Sequence, residues 1–185
     1  AIGRAALPDL REFTGASLQS VRALRDAGFI SLEDVPVYRR PETPAGERAP
    51  LPELNAAQTA AFKGILRRAD GKNAAGALLF GVTGSGKTTI YIRLIAEQRA
   101  KGRSCILLVP EIALTPQMLR TFTAHFGDDI AVLHSSQSAG ERYDEWRRIK
   151  NGDAGVVIGT RSAVFAPAAD LGLIIIDEEQ EHTYR

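Results

Sequence analysis

Continuous apolar runs, separated by stretches with helical periodicity, dominate the chain from residue 77 onward. Short runs of this kind are typical of parallel strands that are buried on both faces of a sheet. The sequence therefore predicts an α/β fold with a mainly parallel sheet. The runs that we interpret as strands are 77–80, 104–109, 130–133, 155–159 and 171–176.

Capping residues place the helices between those runs. Asn55 can begin a helix that continues to about residue 69, and a second helix is expected from the glycine-rich turn to about residue 100. Thr115 followed by Pro116 predicts the start of a third helix, because proline fits the first helical position.

A fourth helix is predicted after Ser138, which can form a capping box with Glu141. This helix carries Tyr143, Trp146 and Ile149 at helical spacing. We expect these side chains to pack into the core, and stacking of Tyr143 and Trp146 on nucleic-acid bases is the alternative.

The beginning of the chain has a different pattern from the rest. Ser17 can cap a short helix, and segments 29–32 and 35–38 are interpreted as short strands. We therefore interpret residues 1–40 as the C-terminal part of a winged-helix-like DNA-binding module. Residues 41–53 are a proline-rich linker, and residues 54–185 form the α/β domain.

Composition narrows the class of protein further. The 185 residues carry a formal net charge of +1, so any nucleic-acid contact must be a local patch. Cys105 is the one cysteine, which rules out an internal disulfide, and its apolar surroundings predict a buried thiol. Neither a membrane-spanning stretch nor a signal peptide is visible, so a cytoplasmic location is expected.

The segment 81–88 reads Gly-Val-Thr-Gly-Ser-Gly-Lys-Thr, between an apolar run and a helical pattern. Glycines allow a tight concave loop whose N–H groups and following helix N-terminus face a phosphate chain. Lys87 can reach the β- and γ-phosphates, and the Thr88 hydroxyl can hold Mg²⁺. These features predict a P-loop NTPase, with a nucleotide site formed by Gly81, Thr83, Gly84, Ser85, Gly86, Lys87, Thr88 and Thr89.

A second chemical signal is the pair Asp177 and Glu178, which follows the last apolar run. An apolar strand that ends in Asp-Glu, combined with a phosphate-binding loop, predicts ATP hydrolysis. Asp177 can hold Mg²⁺ through its water shell, and Glu178 can orient or deprotonate the attacking water. We assign Lys87, Asp177 and Glu178 to catalysis, and Thr88 with Asp177 to Mg²⁺.

Gln58 is a further candidate for ATP binding, in the first turn of the helix that Asn55 begins. Its amide offers a donor and an acceptor, which suits the edge of an adenine. Spacing alone leaves the alternative of an exposed helix glutamine equally open.

Polar side chains follow three of the predicted strands. In open α/β sheets, ligands bind beyond the carboxyl ends of the strands. Hydroxyl groups and an arginine at that edge suit contacts with the phosphates of a single nucleic-acid strand, irrespective of its sequence. The candidates are Thr115, His134, Ser135, Thr160, Arg161 and Ser162.

Five segments together resemble the primosomal protein N′ (PriA) family of replication-restart helicases. They are 81–89, 109–117 (Val-Pro-Glu-Ile-Ala-Leu-Thr-Pro-Gln), 133–135 (Leu-His-Ser), 159–167 (Gly-Thr-Arg-Ser-Ala-Val-Phe-Ala-Pro) and 171–179 (Leu-Gly-Leu-Ile-Ile-Ile-Asp-Glu-Glu). The resemblance extends from about residue 54 to residue 185, and 109–117 and 159–167 are its most discriminating segments.

The resemblance implies the first RecA-like domain of a superfamily 2 DNA helicase that moves 3′ to 5′ on one strand using ATP. It implies action at stalled replication forks and D-loops, where primosome assembly restarts replication. The implied partners are forked and single-stranded DNA, single-strand-binding protein and other primosome proteins, in a nucleoid-associated location. Gln58 matches the family's adenine-reading glutamine, and the family's zinc-binding cysteines would lie outside this chain.

One position departs from the family pattern, because Gln180 stands where a histidine is usual. The chain begins at Ala1 and contains no counterpart of the family's second RecA-like domain, so we interpret it as an excerpt that hydrolyses negligible ATP on its own. Two other functions stay open: another superfamily 2 DNA translocase, and a fork-binding assembly factor whose ATPase activity has lapsed.

Overall fold

The computed structural model describes residues 5–33, 48–69, 74–82 and 84–181. The chain divides into two compact units, Ala1–Val37 and Tyr38–Arg185. The described part of the first unit contains helices α1 (Leu7–Thr14) and α2 (Leu18–Asp26). The predicted cap of α2 is confirmed, since Ser20 N donates to Ser17 Oγ at 3.1 Å.

The predicted strand at 29–32 is wrong. Residues 30–33 have no regular secondary structure, and Phe29 is 78% exposed. A strand needs a neighbour for its backbone N–H and C=O groups, and no described residue of this unit pairs with 29–32. The segment 35–38 lies outside the described residues, so the winged-helix-like module at 1–40 and the linker at 41–53 stay predictions.

The second unit is built on a four-stranded parallel sheet with the strand order β2-β3-β1-β4. Its helices and strands are α3 (Ala56–Ala69), α4 (Lys87–Ala100), β1 (Ser104–Leu108), α5 (Pro116–Phe126), β2 (Ile130–Leu133), α6 (Ala139–Asn151), β3 (Val156–Gly159) and β4 (Leu171–Ile176), with 3-10 turns at Glu111–Ala113, Gly127–Asp129 and Arg161–Phe165. The predicted α/β class and its parallel sheet are confirmed.

Helices cover both faces of this sheet, as continuous apolar strands require. On one face, Leu107 of β1 packs in a cluster with Ile95 of α4 and Phe122 of α5. On the other face, Leu108 of β1 packs in a cluster with Ile149 of α6. The sheet is therefore the middle of three layers.

The predicted strand at 77–80 is wrong in this structure. The segment has no regular secondary structure, and Leu78 and Phe80 are 78% and 91% exposed. Among the described strands, β4 pairs with β1 alone, and Ile174 and Ile176 of β4 are 46% and 49% exposed. The apolar run marks residues with strand propensity, but a strand forms only where a neighbour accepts its hydrogen bonds.

Helix α6 buries one of the three side chains that were predicted to pack in the core. Tyr143 and Trp146 are 59% and 38% exposed, so their predicted packing in the core is wrong, whereas Ile149 is buried. The two rings contact cations instead. The guanidinium of Arg147 lies 5.8 Å from the Tyr143 ring centroid, and the ammonium of Lys150 lies 5.1 Å from that of Trp146.

The buried face of α6 carries charge because it covers the outer edge of β2. Val132 N donates to Glu145 Oε2 at 2.9 Å, and Arg148 Nη1 donates to Ile130 O at 3.1 Å. Arg148 and Glu145 are themselves paired at 2.8 Å. Gln137 Nε2 donates to Val132 O at 2.9 Å. Side chains thus satisfy backbone groups that an edge strand otherwise leaves unpaired.

The prediction of a buried thiol is confirmed. Cys105 is 0% exposed in the middle of the sheet. Burial raises the pKa of the thiol to about 12, because the thiolate would lose its hydration. Within the described ranges, no helix is both long enough and apolar enough to cross a bilayer.

Candidate nucleotide site and nucleic-acid edge

The phosphate loop leads directly into α4. Gly84 and Gly86 have φ angles of 79° and 82°, where a side chain would be strained. Gly86 is the N-cap, so α4 begins at Lys87 and its first N–H groups face the loop. Lys87 Nζ donates to Gly81 O at 2.7 Å and to Val82 O at 3.4 Å. The ammonium therefore lies against the loop, where a phosphate would compete with these carbonyls for it.

The other described residues of the predicted phosphate site lie in the same loop or in the first turn of α4. Ser85 N closes the turn by donating to Val82 O at 3.2 Å. Thr88 is exposed in the first turn of α4, and Thr89 beside it is half-buried. Thr83 lies outside the described residues. The contacts of all these residues with a nucleotide stay a prediction.

Gln58 connects α3 with the phosphate loop. Its Oε1 accepts from Asn55 N at 3.0 Å, and Asn55 Oδ1 accepts from Gln58 N at 2.9 Å, which closes the N-terminus of α3. Gln58 Nε2 donates to Ser85 O at 3.3 Å. A Cβ added to Gly86 would collide with this amide nitrogen. Gln58 is thus half-buried beside the loop, and its contact with adenine stays a prediction.

Asp177 lies where β4 ends, at the carboxyl edge of the sheet. Asp177 N donates to Leu108 O at 2.9 Å, which fixes this backbone beside the end of β1. The hydroxyl of Tyr91 donates to Asp177 Oδ1 at 3.0 Å. Burial, followed by the charge of Asp177, raises the pKa of Tyr91 well above its usual range. The phenol therefore stays protonated and acts as a donor.

Glu178 adopts an uncommon backbone conformation, with a φ angle of 51°. Two contacts hold this turn. Glu181 N donates to Glu178 O at 2.9 Å, and Gln180 Nε2 donates to Glu178 Oε2 at 2.6 Å. Gln180, where the resemblance led us to expect a histidine, thus contacts the carboxylate that we predict to orient the attacking water.

Helix α4 brings the two predicted halves of the site together. Lys87 and Thr88 occupy its first turn, and Tyr91, one turn later, contacts Asp177. Among the described residues, no group of three or more His, Cys, Asp or Glu side chains could hold a metal by itself. One carboxylate and one hydroxyl nevertheless suit Mg²⁺ in a nucleotide site, because Mg²⁺ takes few protein oxygens beside water and phosphate oxygens.

The loops after β1, β2 and β3 meet at the same edge of the sheet. Thr160 N donates to Leu133 O at 3.2 Å, which joins the ends of β3 and β2. Ser135 Oγ donates to Glu111 Oε1 at 2.8 Å, which joins the loop after β2 to the loop after β1. The structure therefore brings the segments predicted to contact DNA to one edge.

The six predicted contact residues differ in exposure. Thr115, Arg161 and Ser162 are exposed, as is Ser135. The Thr115 hydroxyl also accepts from the backbone N–H of residue 118 at 3.2 Å, which confirms its predicted cap of α5. Thr160 is 6% exposed, and His134 is half-buried. The contact of the exposed residues with phosphates stays a prediction, whereas Thr160 mainly anchors the loop through its backbone.

Sequence reasoning missed Tyr91, which it treated only as part of a helical pattern. A spacing of four residues from Lys87 places Tyr91 on the same face of α4, and this was the available signal. Its partner Asp177 lies 86 residues further along the chain, and no local pattern could identify that pair.

The chain resembles known proteins along most of its length. The DEAD/DEAH box helicase family matches residues 55–185. The replication restart protein PriA of Bacillus subtilis (strain 168) is 45% identical over 179 residues, which cover 96% of this chain and 22% of that protein. PriA of Synechocystis sp. is 40% identical over 179 residues, which cover 97% of this chain and 21% of that protein. The resemblance predicted from the motifs is confirmed, and the chain spans about a fifth of these relatives.

A solved structure shows the same fold. RecG bound to a three-way DNA junction superimposes with a TM-score of 0.57 at 21% sequence identity. The match covers 67% of this chain and 21% of the RecG chain. At this identity the likeness supports the α/β fold and nothing finer.

Proposed function

Because the chain belongs to the DEAD/DEAH box helicase family, we propose that it forms the ATP-hydrolysing part of a DNA helicase that restarts stalled replication. The similar proteins named above are replication restart proteins, and the match with them extends over 96% of this chain. The finer functions come from the resemblance of the motifs: movement 3′ to 5′, recognition of forks and D-loops, and assembly with single-strand-binding protein and primosome proteins.

The observation that carries this proposal is that the phosphate loop before α4 and the acid motif, Asp177 with Glu178, lie together at the carboxyl edge of the sheet. Lys87 begins α4, Asp177 follows β4 directly, and the hydrogen bond from Tyr91 to Asp177 links the two segments. ATP hydrolysis needs a cationic phosphate site and a carboxylate pair within reach of one nucleotide. Lys87 would supply the cationic phosphate site, and Asp177 with Glu178 would supply the carboxylate pair.

The chain's own residues supply binding, orientation and a proton acceptor. The N-terminus of α4 and the Lys87 ammonium would neutralise the phosphate chain. Thr88 and Asp177 would hold Mg²⁺, which supplies further neutralisation of phosphate charge when it is bound. Glu178 would orient the attacking water and accept its proton. Phosphoryl transfer depends mainly on such positioning and charge stabilisation.

The adjacent edge supplies contacts for a single strand of DNA. Thr115, Ser135 and Ser162 present hydroxyl groups, and Arg161 presents a guanidinium. Contacts of this kind bind phosphates without reading bases, which suits a motor that must move over any sequence. The nucleotide site and these loops both lie at the carboxyl ends of the strands of one sheet. A conformational change at one of them can therefore affect the other over a short distance.

The decisive experiment measures ATP turnover by the full-length protein with and without forked DNA. We expect DNA-stimulated turnover, and we expect Lys87→Ala to abolish it. Lys150→Ala, which removes an exposed cation from α6, is the matched control and should retain turnover. Fork binding without turnover in the unaltered protein would contradict the helicase and favour an assembly factor.

Direction is tested separately with partial duplexes that carry either a 3′ or a 5′ single-stranded tail. Movement 3′ to 5′ on the loading strand predicts unwinding only of the duplex with the 3′ tail. Equal unwinding of both substrates would contradict the proposed direction and leave the ATPase intact.

A further inference from the structure

We propose that Tyr91 is a positioning residue that fixes the Asp177 carboxylate for binding Mg²⁺ together with a nucleotide. The proposal rests on the ATP site proposed above and adds a residue to it. Its basis is one hydrogen bond, from the Tyr91 hydroxyl to Asp177 Oδ1 at 3.0 Å.

The position of the Tyr91 hydroxyl is set by packing of its ring. Tyr91 is 7% exposed and belongs to the core cluster that contains Ile95, Leu107 and Ile175. A ring held in this way has little rotational freedom, so its hydroxyl is a fixed donor at the edge of the core. Such a donor is already in place before a ligand arrives.

The acceptor, Asp177, is held at two points. Its backbone N donates to Leu108 O at 2.9 Å, and its side chain receives the bond from Tyr91. An ionised carboxylate has two oxygens and about four acceptor sites, so one donated bond orients it and leaves capacity for a cation. Partners that orient a metal-binding side chain are an integral part of metal sites.

The hydrogen bond between Tyr91 and Asp177 also fixes the distance between the start of α4 and the acid motif that follows β4. Tyr91 lies on the same helix as Lys87 and Thr88, whereas Asp177 follows β4. Because α4 is one continuous helix of 14 residues, anchoring Asp177 to Tyr91 anchors it relative to Lys87 and Thr88, which we propose meet the phosphates and Mg²⁺. Loss of the bond would free the carboxylate without altering Lys87.

The variant Tyr91→Phe removes the hydroxyl and keeps the ring in the core. Loss of such an orienting partner typically lowers metal affinity by about 10- to 100-fold. In the full-length protein, we expect the affinity for a fluorescent ATP analogue to fall by about this factor when Mg²⁺ is present. In EDTA, where phosphate contacts alone hold the nucleotide, we expect the affinity of the variant to equal that of the unaltered protein.

Two controls separate positioning from general damage. Tyr143→Phe removes a hydroxyl from a ring that is 59% exposed on α6, and it should leave both affinities unchanged. In a protein that already carries Asp177→Ala, adding Tyr91→Phe should change the Mg²⁺-dependent affinity by less than about 2-fold, because the bond is already lost. Thermal melting checks that each variant is folded.

The outcomes are distinct. Unchanged Mg²⁺ dependence in Tyr91→Phe overturns the inference and leaves the ATP site standing. An equal loss of affinity with and without Mg²⁺ also overturns it, because the hydroxyl would then serve the fold alone. Absence of nucleotide binding by the unaltered full-length protein in either condition overturns the proposed ATP site itself.

Discussion

Replacing Arg148 by alanine tests whether an unpaired carboxylate, left buried on α6, destabilises the outer edge of β2. Arg148 is 3% exposed and donates to Glu145 and Ile130 O. The substitution leaves Glu145, 6% exposed, without its guanidinium partner. Removing one member of a buried ion pair costs about 3–5 kcal/mol. At about 1.4 kcal/mol per factor of ten, local opening should become between about 100-fold and several thousand-fold more frequent.

Hydrogen exchange read by mass spectrometry measures this opening in the full-length protein. Amides in peptides that cover β2 and α6 should exchange faster in Arg148→Ala, because opening limits their exchange. Lys150→Ala on the same helix is the control, since Lys150 is exposed, and it should leave exchange unchanged. The double variant Glu145→Leu with Arg148→Met should return exchange close to that of the unaltered protein, because neither charge is left buried.

Two results would refute the reasoning. Exchange in Arg148→Ala within about 3-fold of the unaltered protein would show that the pair does not hold this edge. A double variant as unstable as the single one would show that the bonds to the β2 backbone, rather than the unpaired carboxylate, account for the loss.

Four further predictions concern other parts of the second unit. Gly86→Ala places a Cβ against the amide of Gln58 at a φ of 82°, so nucleotide affinity measured by fluorescence should fall by about 10-fold or more, and unchanged affinity would contradict this. Burial raises the pKa of the Cys105 thiol from 9.0 to about 12, so at pH 8 its thiolate fraction, and with it the rate of labelling by iodoacetamide, should be about 1000-fold lower in native protein than in urea. The stability that this thiol contributes should be complete below about pH 9 and lost towards about pH 12. Tyr143→Ala should lower the free energy of unfolding by less than about 1 kcal/mol in thermal melts, because the ring is 59% exposed, whereas core packing would cost about 3–5 kcal/mol.

Local chemistry explains why much of the fold could be predicted. A continuous apolar run such as 104–109 has few alternatives to a buried strand, and the structure places β1 within it. Caps act within one turn, so Thr115 with Pro116 and Ser138 with Glu141 were sufficient to locate two helix starts. The phosphate loop is likewise a local motif.

Contacts between distant segments account for what could not be predicted. Helical spacing groups Tyr143 with Trp146, but it does not tell which face of α6 meets the sheet. That choice depends on β2, whose outer backbone groups bond to Glu145 and Arg148. The hydrogen bond from Tyr91 to Asp177 could not be predicted for the same reason, because it forms only when the fold brings α4 beside the end of β4.

The left-handed backbone of Glu178 has a consequence for how this position would change under selection for stability alone. A residue with a Cβ pays about 1–2 kcal/mol for that conformation, and glycine would not. Glu178→Gly should therefore relax the backbone at this position, at the loss of the contact with Gln180 and of the carboxylate that we propose orients the attacking water. Selection for thermostability alone would favour that exchange, so a laboratory evolution experiment without a demand for ATP turnover should lose this glutamate early.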